Sequence, residues 1–141
     1  MSQIHEFKHK KMLYTAGPLR SAQGDNGLLK NMLAARDVML ELTRMGYAVF
    51  CPHTSSFLCG GALLDDYTWL DVDREIISRC DGVVFLPGWP QSEGSCCERE
   101  FAIANDIPCF DWTSKSHRNF LEQHALTPGE LKLEAECEET N

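Results

Sequence analysis

The sequence predicts a single α/β domain, in which an open parallel sheet of four to five strands carries helices on both faces. Short apolar runs alternate along the chain with segments of helical periodicity, and this order is typical of such a sheet. One run, Gly82 to Leu86, is almost continuously apolar, as in a parallel strand covered on both sides. The length of 141 residues suits one domain that builds its core without disulfides or metal.

The first predicted strand is a short apolar run near the N-terminus. Residues 12–16 follow a basic start and are stopped by Gly17-Pro18, which predicts a strand and then a turn. The stretch 19–27 is polar and contains two glycines, so we expect a loop there.

A helix and a second strand are predicted next. From Leu28 to Met45 the apolar residues recur at helical spacing. Asn26 is the expected N-cap of this helix, and Gly46 suits the position where the helix ends. Residues 47–51 form another apolar run, which predicts the second strand.

The second half of the chain repeats this pattern twice. Helical periodicity starts near Asp66 and ends at Asp81-Gly82. The apolar side of this helix is expected to carry Tyr67, Leu70, Ile76 and Ile77. The third strand is predicted at 82–86, a helix at 94–105 and the fourth strand at 107–111.

We interpret the whole chain, 1–141, as one domain with its core at about 12–112. The tail, about 113–141, is expected to contain one more helix, with Thr127 as its cap and Pro128 at its first position. The last twelve residues contain five Glu and one Lys, a composition typical of a solvated, acidic chain end.

Composition narrows the class of function. The net charge of −8 argues against non-specific binding of nucleic acid, which depends on cationic surface. No apolar run approaches the roughly 18 residues that span a bilayer, and no signal peptide is evident, so we expect a cytoplasmic protein that does not bind membranes. The seven Cys include no CxxC pair and the His residues are scattered, so no metal site is expected.

The loop after the third strand is the first candidate for a ligand site, because parallel sheets bind ligands at the carboxyl ends of their strands. Ser92 and Gly94 lie where a helix begins, so free N–H groups and the helix dipole favour a phosphate or a sugar hydroxyl. Glu98 lies about one turn further, and its side chain leans back toward the same place. The alternative is that Ser92 only caps the helix and Glu98 is solvated.

The loop after the first strand is a second candidate. Gly17 allows close approach of a ligand, and Arg20 can clamp a phosphate or lie on the surface of a turn. Its middle residues, Pro18 and Leu19, belong to the same candidate site. The chain contains neither the GxxxxGK[ST] phosphate loop nor the GxGxxG fingerprint.

Asp73 and Trp89 are two further candidates, and each has a functional and a structural interpretation. Asp73 lies three residues from both Leu70 and Ile76, which places it beside the apolar stripe of its helix. A half-buried Asp near a second carboxylate sets up two-carboxylate chemistry, although acidic residues on a helix are most often solvated. Trp89, in the loop after the third strand, suits either stacking on a base or packing in the core.

Four segments together resemble the nucleoside 2-deoxyribosyltransferase-like superfamily across about residues 12–111. Three of them are Tyr14-Thr-Ala-Gly-Pro18, Gly46-Tyr-Ala-Val-Phe-Cys-Pro52 and Cys80-Asp-Gly-Val-Val-Phe-Leu-Pro-Gly-Trp89. The fourth is Ser92-x-Gly94-x-x-x-Glu98-x-x-x-Ala102. The GW-x-x-S-x-G form is similar to that of small bacterial and phage members, which in turn resemble nucleoside 5′-monophosphate N-glycosidases.

The resemblance implies a flavodoxin-like, Rossmann-like fold and a role for each matched residue. It implies that Glu98 is the nucleophile and that the Asp eight residues before Asp81, which is Asp73, is its catalytic partner. It further implies that Ser92 contacts a 5′-phosphate.

The resemblance also implies how the pocket is completed. The loop from Gly17 to Ser21 would provide the rest of the phosphate or sugar pocket, and Tyr14 is included among the binding residues. Pro18 departs from the typical pattern, since it replaces a small polar residue and removes one N–H donor, which weakens the monophosphate assignment.

We therefore expect an N-glycosidase that acts on a (deoxy)nucleoside 5′-monophosphate through a covalent glycosyl-Glu98 intermediate, without a cofactor. One alternative is a nucleoside 2-deoxyribosyltransferase that exchanges bases, with hydrolysis favoured over transfer. Another is a module that binds a nucleotide or nucleotide-derived signal without chemistry, and a third is an assembly protein. The resemblance further implies a homo-oligomer, a dimer or higher, in which neighbouring subunits complete the pocket.

Overall fold

The computed structural model describes residues 9–19, 24–55 and 63–125. Within these ranges the strands β1 to β4 are Met12–Ala16, Ala48–Phe50, Gly82–Phe85 and Cys109–Asp111. The helices α1 to α4 are Asp25–Met45, Asp66–Ile77, Glu93–Ala104 and Lys115–Gln123, and a short 3-10 turn occupies Trp89–Gln91. None of the helices in this described part is long and apolar enough to cross a membrane.

The strands form one parallel sheet in the order β2-β1-β3-β4, which confirms the predicted open α/β architecture. This order agrees with the flavodoxin-like fold. Asp81, just before β3, accepts a hydrogen bond from the backbone N–H of Met12 at 2.7 Å, which ties the beginnings of β1 and β3 together. β2 lies on one side of β1 and β3 lies on the other, so the strand order reverses direction between β1 and β3. At such a point a crevice opens at the carboxyl ends of the two strands.

Each face of the sheet carries its own hydrophobic core, so the prediction of helices on both faces is also confirmed. The core on the α1 and α4 face includes Leu13, Ala35, Val38, Leu42, Val84, Phe110, Phe120 and Leu121. The core on the α2 and α3 face includes Tyr14, Ala16, Ile77, Val83, Phe85 and Ala102. Successive residues of β1 and β3 alternate between the two cores, as the two-residue period of a strand requires.

Glycines bound α1 at both ends. The predicted N-cap, Asn26, is wrong: α1 begins at Asp25, after Gly24 at φ 72, and no side chain caps it. The prediction for Gly46 is confirmed, since Gly46 ends α1 in the left-handed region at φ 112. The positive φ of Gly24 turns the chain into the helix before Asn26 is reached.

The two helices on the other face of the sheet, α2 and α3, each have a side-chain N-cap. The Asp65 carboxylate accepts a hydrogen bond from the Thr68 N–H, and the Ser92 hydroxyl accepts one from the Ser95 N–H. The expectation that Tyr67 lies on the apolar side of α2 is wrong, because its side chain is 84% exposed. Tyr67 lies in the first turn of α2, at the edge of the crevice rather than over the sheet.

The tail helix predicted to begin at Thr127 lies outside the described residues, and α4 was not predicted. This helix buries Phe120 and Leu121, so the core extends beyond the expected limit at 112. Two buried donors hold its end. The Tyr47 hydroxyl donates to the Leu121 carbonyl at 2.6 Å, and the Lys11 ammonium donates to the His124 carbonyl at 3.0 Å.

Candidate active site

A pocket of about 560 Å³ opens in the crevice at the carboxyl ends of β1 and β3. Its walls come from the end of β1 with the loop that follows, from Pro52 and His53 after β2, from α2, and from Gln91 through the first two turns of α3. This volume is typical of small-molecule sites. In parallel α/β folds the helices that follow strands begin at this edge of the sheet, so α2 and α3 both begin beside the pocket.

Glu98 lies on the pocket wall, yet its side chain is buried, with 7% of its surface exposed. The Tyr14 hydroxyl donates a hydrogen bond to its Oε2 at 2.5 Å. Burial raises the pKa of Glu98 to about 8, with a further increase from the charge of Asp73 and a partial decrease from the Tyr14 hydrogen bond. The interpretation of Glu98 as a solvated helix residue is therefore wrong.

Asp73 lines the same pocket from α2 and is half-buried. Its Oδ1 is buried and has no hydrogen-bond partner among the described residues. Burial raises the pKa of Asp73 to about 6, while the Tyr14 hydroxyl and the charge of His53 act in the opposite direction. The structure thus brings together two carboxyls that lie on different helices and whose pKa values are both raised.

Tyr14 lies between the two carboxyls. Its side chain is fully buried in β1, and its hydroxyl interacts with both Glu98 and Asp73. Burial raises the pKa of Tyr14 well above its ordinary value, and the two neighbouring carboxylates raise it further. The phenol therefore remains protonated, and its O–H can donate a hydrogen bond to whichever of the two carboxyls is ionised.

His53 is a pocket residue that the sequence analysis missed. It is 4% exposed, and its Nε2 donates to the carbonyls of Gly17 and Pro18 at 3.2 and 3.1 Å. Burial opposes its protonation, but Cys51 and these two carbonyls raise its pKa overall. His53 thus ties the β1 loop to the end of β2, and its charge favours ionisation of both carboxyls. Its place directly after the second strand was the signal that could have identified it.

The predicted phosphate residues also lie on the pocket wall. Ser92 and Gly94 line it at the start of α3. The Ser92 hydroxyl accepts hydrogen bonds from the Ser95 N–H at 3.3 Å and from the Ser95 hydroxyl at 3.0 Å. Ser92 is therefore both a helix cap and a pocket residue, and its own hydroxyl hydrogen is still available to a ligand.

The loop after β1 forms another part of the wall. Gly17, Pro18 and Leu19 line the pocket, whereas Arg20 lies outside the described residues. A Cβ on Gly17 would lie 2.6 Å from the Cβ of Leu86, so only glycine fits where this loop crosses the end of β3.

Trp89 does not line the pocket, and of its two interpretations the structure supports packing against the core rather than contact with a base. Its ring packs against Phe85 with centroids 5.2 Å apart, and the Arg99 guanidinium lies 5.4 Å from the ring centroid. The 3-10 turn rotates this side chain away from the crevice and over the sheet. Trp69, on α2, lines the pocket instead.

The charged side chains of the described pocket wall are mainly acidic. The carboxyl groups of Asp66, Asp73, Glu93 and Glu98 contribute to this wall, together with the imidazole of His53, whose pKa, despite burial, is raised by Cys51 and two backbone carbonyls. No group of three or more His, Cys, Asp or Glu side chains in the described ranges is arranged to hold a metal ion. The carboxyl groups and the imidazole of the wall can serve as proton-transfer and nucleophilic groups.

Comparison with known proteins gives one family. The model of the family described as "Domain of unknown function (DUF4406)" matches residues 11–110. That range includes Tyr14, Asp73 and Glu98, together with the four strands as far as the middle of β4. No curated protein matches the chain.

Proposed function

The chain belongs to the DUF4406 family, and we propose that this member cleaves the N-glycosidic bond of a (deoxy)nucleoside 5′-monophosphate. The observation that carries the proposal is the buried Glu98 carboxyl, which lines the pocket, accepts the Tyr14 hydrogen bond and interacts with Asp73. A carboxyl whose pKa is raised by burial destabilises the fold at neutral pH. Such groups in a cleft are typical of acid–base and nucleophilic sites.

We also propose that the chain is related to the nucleoside 2-deoxyribosyltransferase-like superfamily, which its motifs resemble. What supports it is that Glu98 and Asp73, the two carboxyls that the motifs single out, line one pocket although they lie on separate helices. The homo-oligomer and the cytoplasmic location expected from the sequence are part of the same proposal.

In the first step of the proposed reaction, the Glu98 carboxylate attacks C1′ of the sugar. A bond forms between Glu98 Oε and C1′ as the C1′–N bond breaks, and the electron pair remains on the base nitrogen. Near neutrality the pair of carboxyls holds one proton, mainly on Glu98, and the reactive form is the one in which this proton has passed to Asp73. Asp73 then gives the proton to the departing base. The Tyr14 hydroxyl, which donates to Glu98 in the free protein, stabilises the ionised form that reacts.

In the second step, water attacks C1′ and releases Glu98. The oxygen of water bonds to C1′, the Glu98–C1′ bond breaks, and the proton of water passes to Asp73. The products are a free base and a sugar 5-phosphate, and Asp73 and Glu98 return to their starting protonation states.

The phosphate would lie at the mouth of the pocket. Ser92 and the first-turn N–H groups at Gly94 are available to it, and α2 and α3 both direct their positive ends there. Because Asp66 and Glu93 are at the same mouth, binding of a dianion depends on these helix ends.

Two other functions use the same residues. In a deoxyribosyltransferase, a second base takes the place of water and receives the sugar from Glu98. A binding module without chemistry is favoured by one observation: with a pKa of about 8, the Glu98 carboxyl holds a proton at neutral pH and can serve as a hydrogen-bond donor to a ligand.

A base-release assay tests the proposal. The protein is incubated with ribo- and deoxyribonucleosides and their 5′-monophosphates, and free base is measured by chromatography. We expect at least one monophosphate to release its base, and Glu98→Gln to lower the rate at least about 10³-fold, as loss of a nucleophile does. The matched control is Glu100→Gln, an exposed carboxyl on α3 outside the pocket, which should keep the wild-type rate.

Two outcomes would contradict the proposal. One is that no substrate releases its base, and the other is that Glu98→Gln is as active as wild type. Release that requires an added second base would identify the transferase instead.

A further inference from the structure

Trp69 is an aromatic side chain of the pocket wall, on the same helix as Asp73. It is half-buried, it lines the pocket from α2, and it precedes Asp73 by one helical turn. Side chains four residues apart on a helix are neighbours, with about 5–6 Å between their Cβ atoms. Trp69 is therefore adjacent to Asp73, the carboxyl that gives its proton to the base in the proposed reaction.

The other two tryptophans of the chain are engaged away from the pocket. Trp89 packs on Phe85, and its indole N–H donates to Asp111 Oδ2 at 3.4 Å. Trp112 is 9% exposed in the core beside α1, with the Arg118 guanidinium 5.6 Å from its ring centroid. Of the three indoles, all within the described ranges, Trp69 is the one that lines the pocket.

We infer that Trp69 stacks on the base of the bound nucleotide and provides most of the affinity for that half of the substrate. This inference rests on the proposed function, because C1′ must lie at Glu98 and the base is bonded directly to C1′. The base must then lie within about one helical turn of Asp73, where Trp69 and Leu70 form the wall. Tyr67 also lines the pocket, but it is about 9 Å from Asp73 along the helix axis, which places it at the rim.

Stacking predicts a particular pattern of substrate preference. Every base has a π-face, so an aromatic wall binds bases without requiring one hydrogen-bond pattern, and a larger ring gains more contact. Trp69 should therefore favour purine over pyrimidine nucleotides, and it should contribute nothing to a ligand that has no base.

Binding measurements on Trp69→Ala and Trp69→Phe test the inference. Dissociation constants for AMP and for ribose 5-phosphate are measured in the Glu98→Gln background, which prevents turnover. We expect Trp69→Ala to weaken AMP binding about 10-fold or more and to leave ribose 5-phosphate unchanged, while Trp69→Phe retains most of the AMP affinity. Equal losses for both ligands would indicate a structural role and overturn the inference, as would unchanged AMP binding.

Fluorescence gives a readout that a structural role would not affect. AMP should quench the indole emission of Glu98→Gln, and Trp69→Phe should abolish this quench. Trp89→Phe is the matched control and should preserve it, because Trp89 lies outside the pocket. A quench that is retained in Trp69→Phe would overturn the inference.

The outcomes separate this inference from the proposed function. Quenching through Trp69 without base release by the wild-type protein would support the inference and reject the glycosidase. Base release that Trp69→Ala leaves unchanged in kcat/KM would support the glycosidase and reject the inference. Absence of both base release and AMP binding would reject both.

Discussion

At the scale of single residues, the burial of Glu98 that raises its pKa also lowers the stability of the fold when this carboxyl ionises. Glu98 lies on α3, where its buried side chain contacts Tyr14 of β1, and burial raises its pKa from 4.5 to about 8. In the unfolded chain the same carboxyl ionises near its ordinary value. The native state therefore binds a proton that the unfolded state has released, across the range between these two pKa values.

Replacing Glu98 should stabilise the protein at alkaline pH. Because the folded pKa is the higher one, the contribution of Glu98 is fully present below about pH 4.5 and is lost as pH rises through about 8. We expect wild type to lose stability between pH 5 and pH 8, and Glu98→Gln to lose less, by on the order of 2–4 kcal/mol at pH 8. Urea unfolding at the two pH values measures the difference.

The control for this prediction is Glu100→Gln, which is exposed on the same helix and should stay within about 0.5 kcal/mol of wild type at both pH values. If Glu98→Gln shows the same decrease in stability with pH as wild type, then Glu98 does not carry the extra proton in the native state.

At the scale of elements, the pocket depends on how closely the end of β1 approaches β3. Gly17 follows β1, and a Cβ there would lie 2.6 Å from Leu86 Cβ and 2.9 Å from Leu86 Cδ1. Gly94 lies on the opposite wall, in the first turn of α3, and a Cβ there would meet no atom within 4 Å. The two glycines thus line one pocket with opposite packing requirements.

Alanine substitution at these two glycines should have opposite effects on the fold. Gly17→Ala forces the β1 loop away from Leu86, so we expect a loss of about 1–3 kcal/mol, the usual cost of overpacking. Gly94→Ala should be neutral or stabilising by up to about 1 kcal/mol, because alanine favours helix. Denaturant unfolding of the two variants compares them directly, and equal stability of both variants would disprove the proposed close contact.

At the scale of the whole molecule, the fold extends beyond the part that defines its family. The match to the DUF4406 family ends at residue 110, yet Phe120 and Leu121 of α4 complete the core beside α1. Tyr47 and Lys11 hold the end of α4 through its carbonyls, so contacts from both ends of the described chain close this face of the sheet.

Removing α4 should unfold the protein. A chain that ends after Thr113 loses two core side chains, each worth about 1.5–3 kcal/mol, and loses the hydrogen bond from the Tyr47 hydroxyl to the Leu121 carbonyl. The total approaches the whole stability of a typical domain. We expect circular dichroism to show no cooperative thermal transition for this chain. A chain that ends after Ala125 keeps these contacts and should melt cooperatively, and the same melting temperature for both chains would contradict the prediction.

The sequence predicts some elements of the fold better than others. The architecture follows from local patterns: β1 was predicted with its observed bounds, and Gly46 was identified as the end of α1 because a left-handed residue there favours glycine. The helix α4 was missed because it buries only Phe120 and Leu121, and two apolar positions are too few to define a periodicity.

By itself, the sequence determined the α/β order and the parallel sheet, and it identified Glu98 and Asp73 as candidate catalytic carboxyls. It could do so because periodicity and motif spacing are local properties of the chain. Only the tertiary structure decided that Glu98 is buried, that His53 belongs to the pocket, and that Trp69 rather than Trp89 lines it. Burial and pKa depend on neighbours that the sheet brings together: the Tyr14 hydroxyl that holds Glu98 comes from 84 residues away. No local pattern records such a contact, because it forms only when β1 lies beside α3.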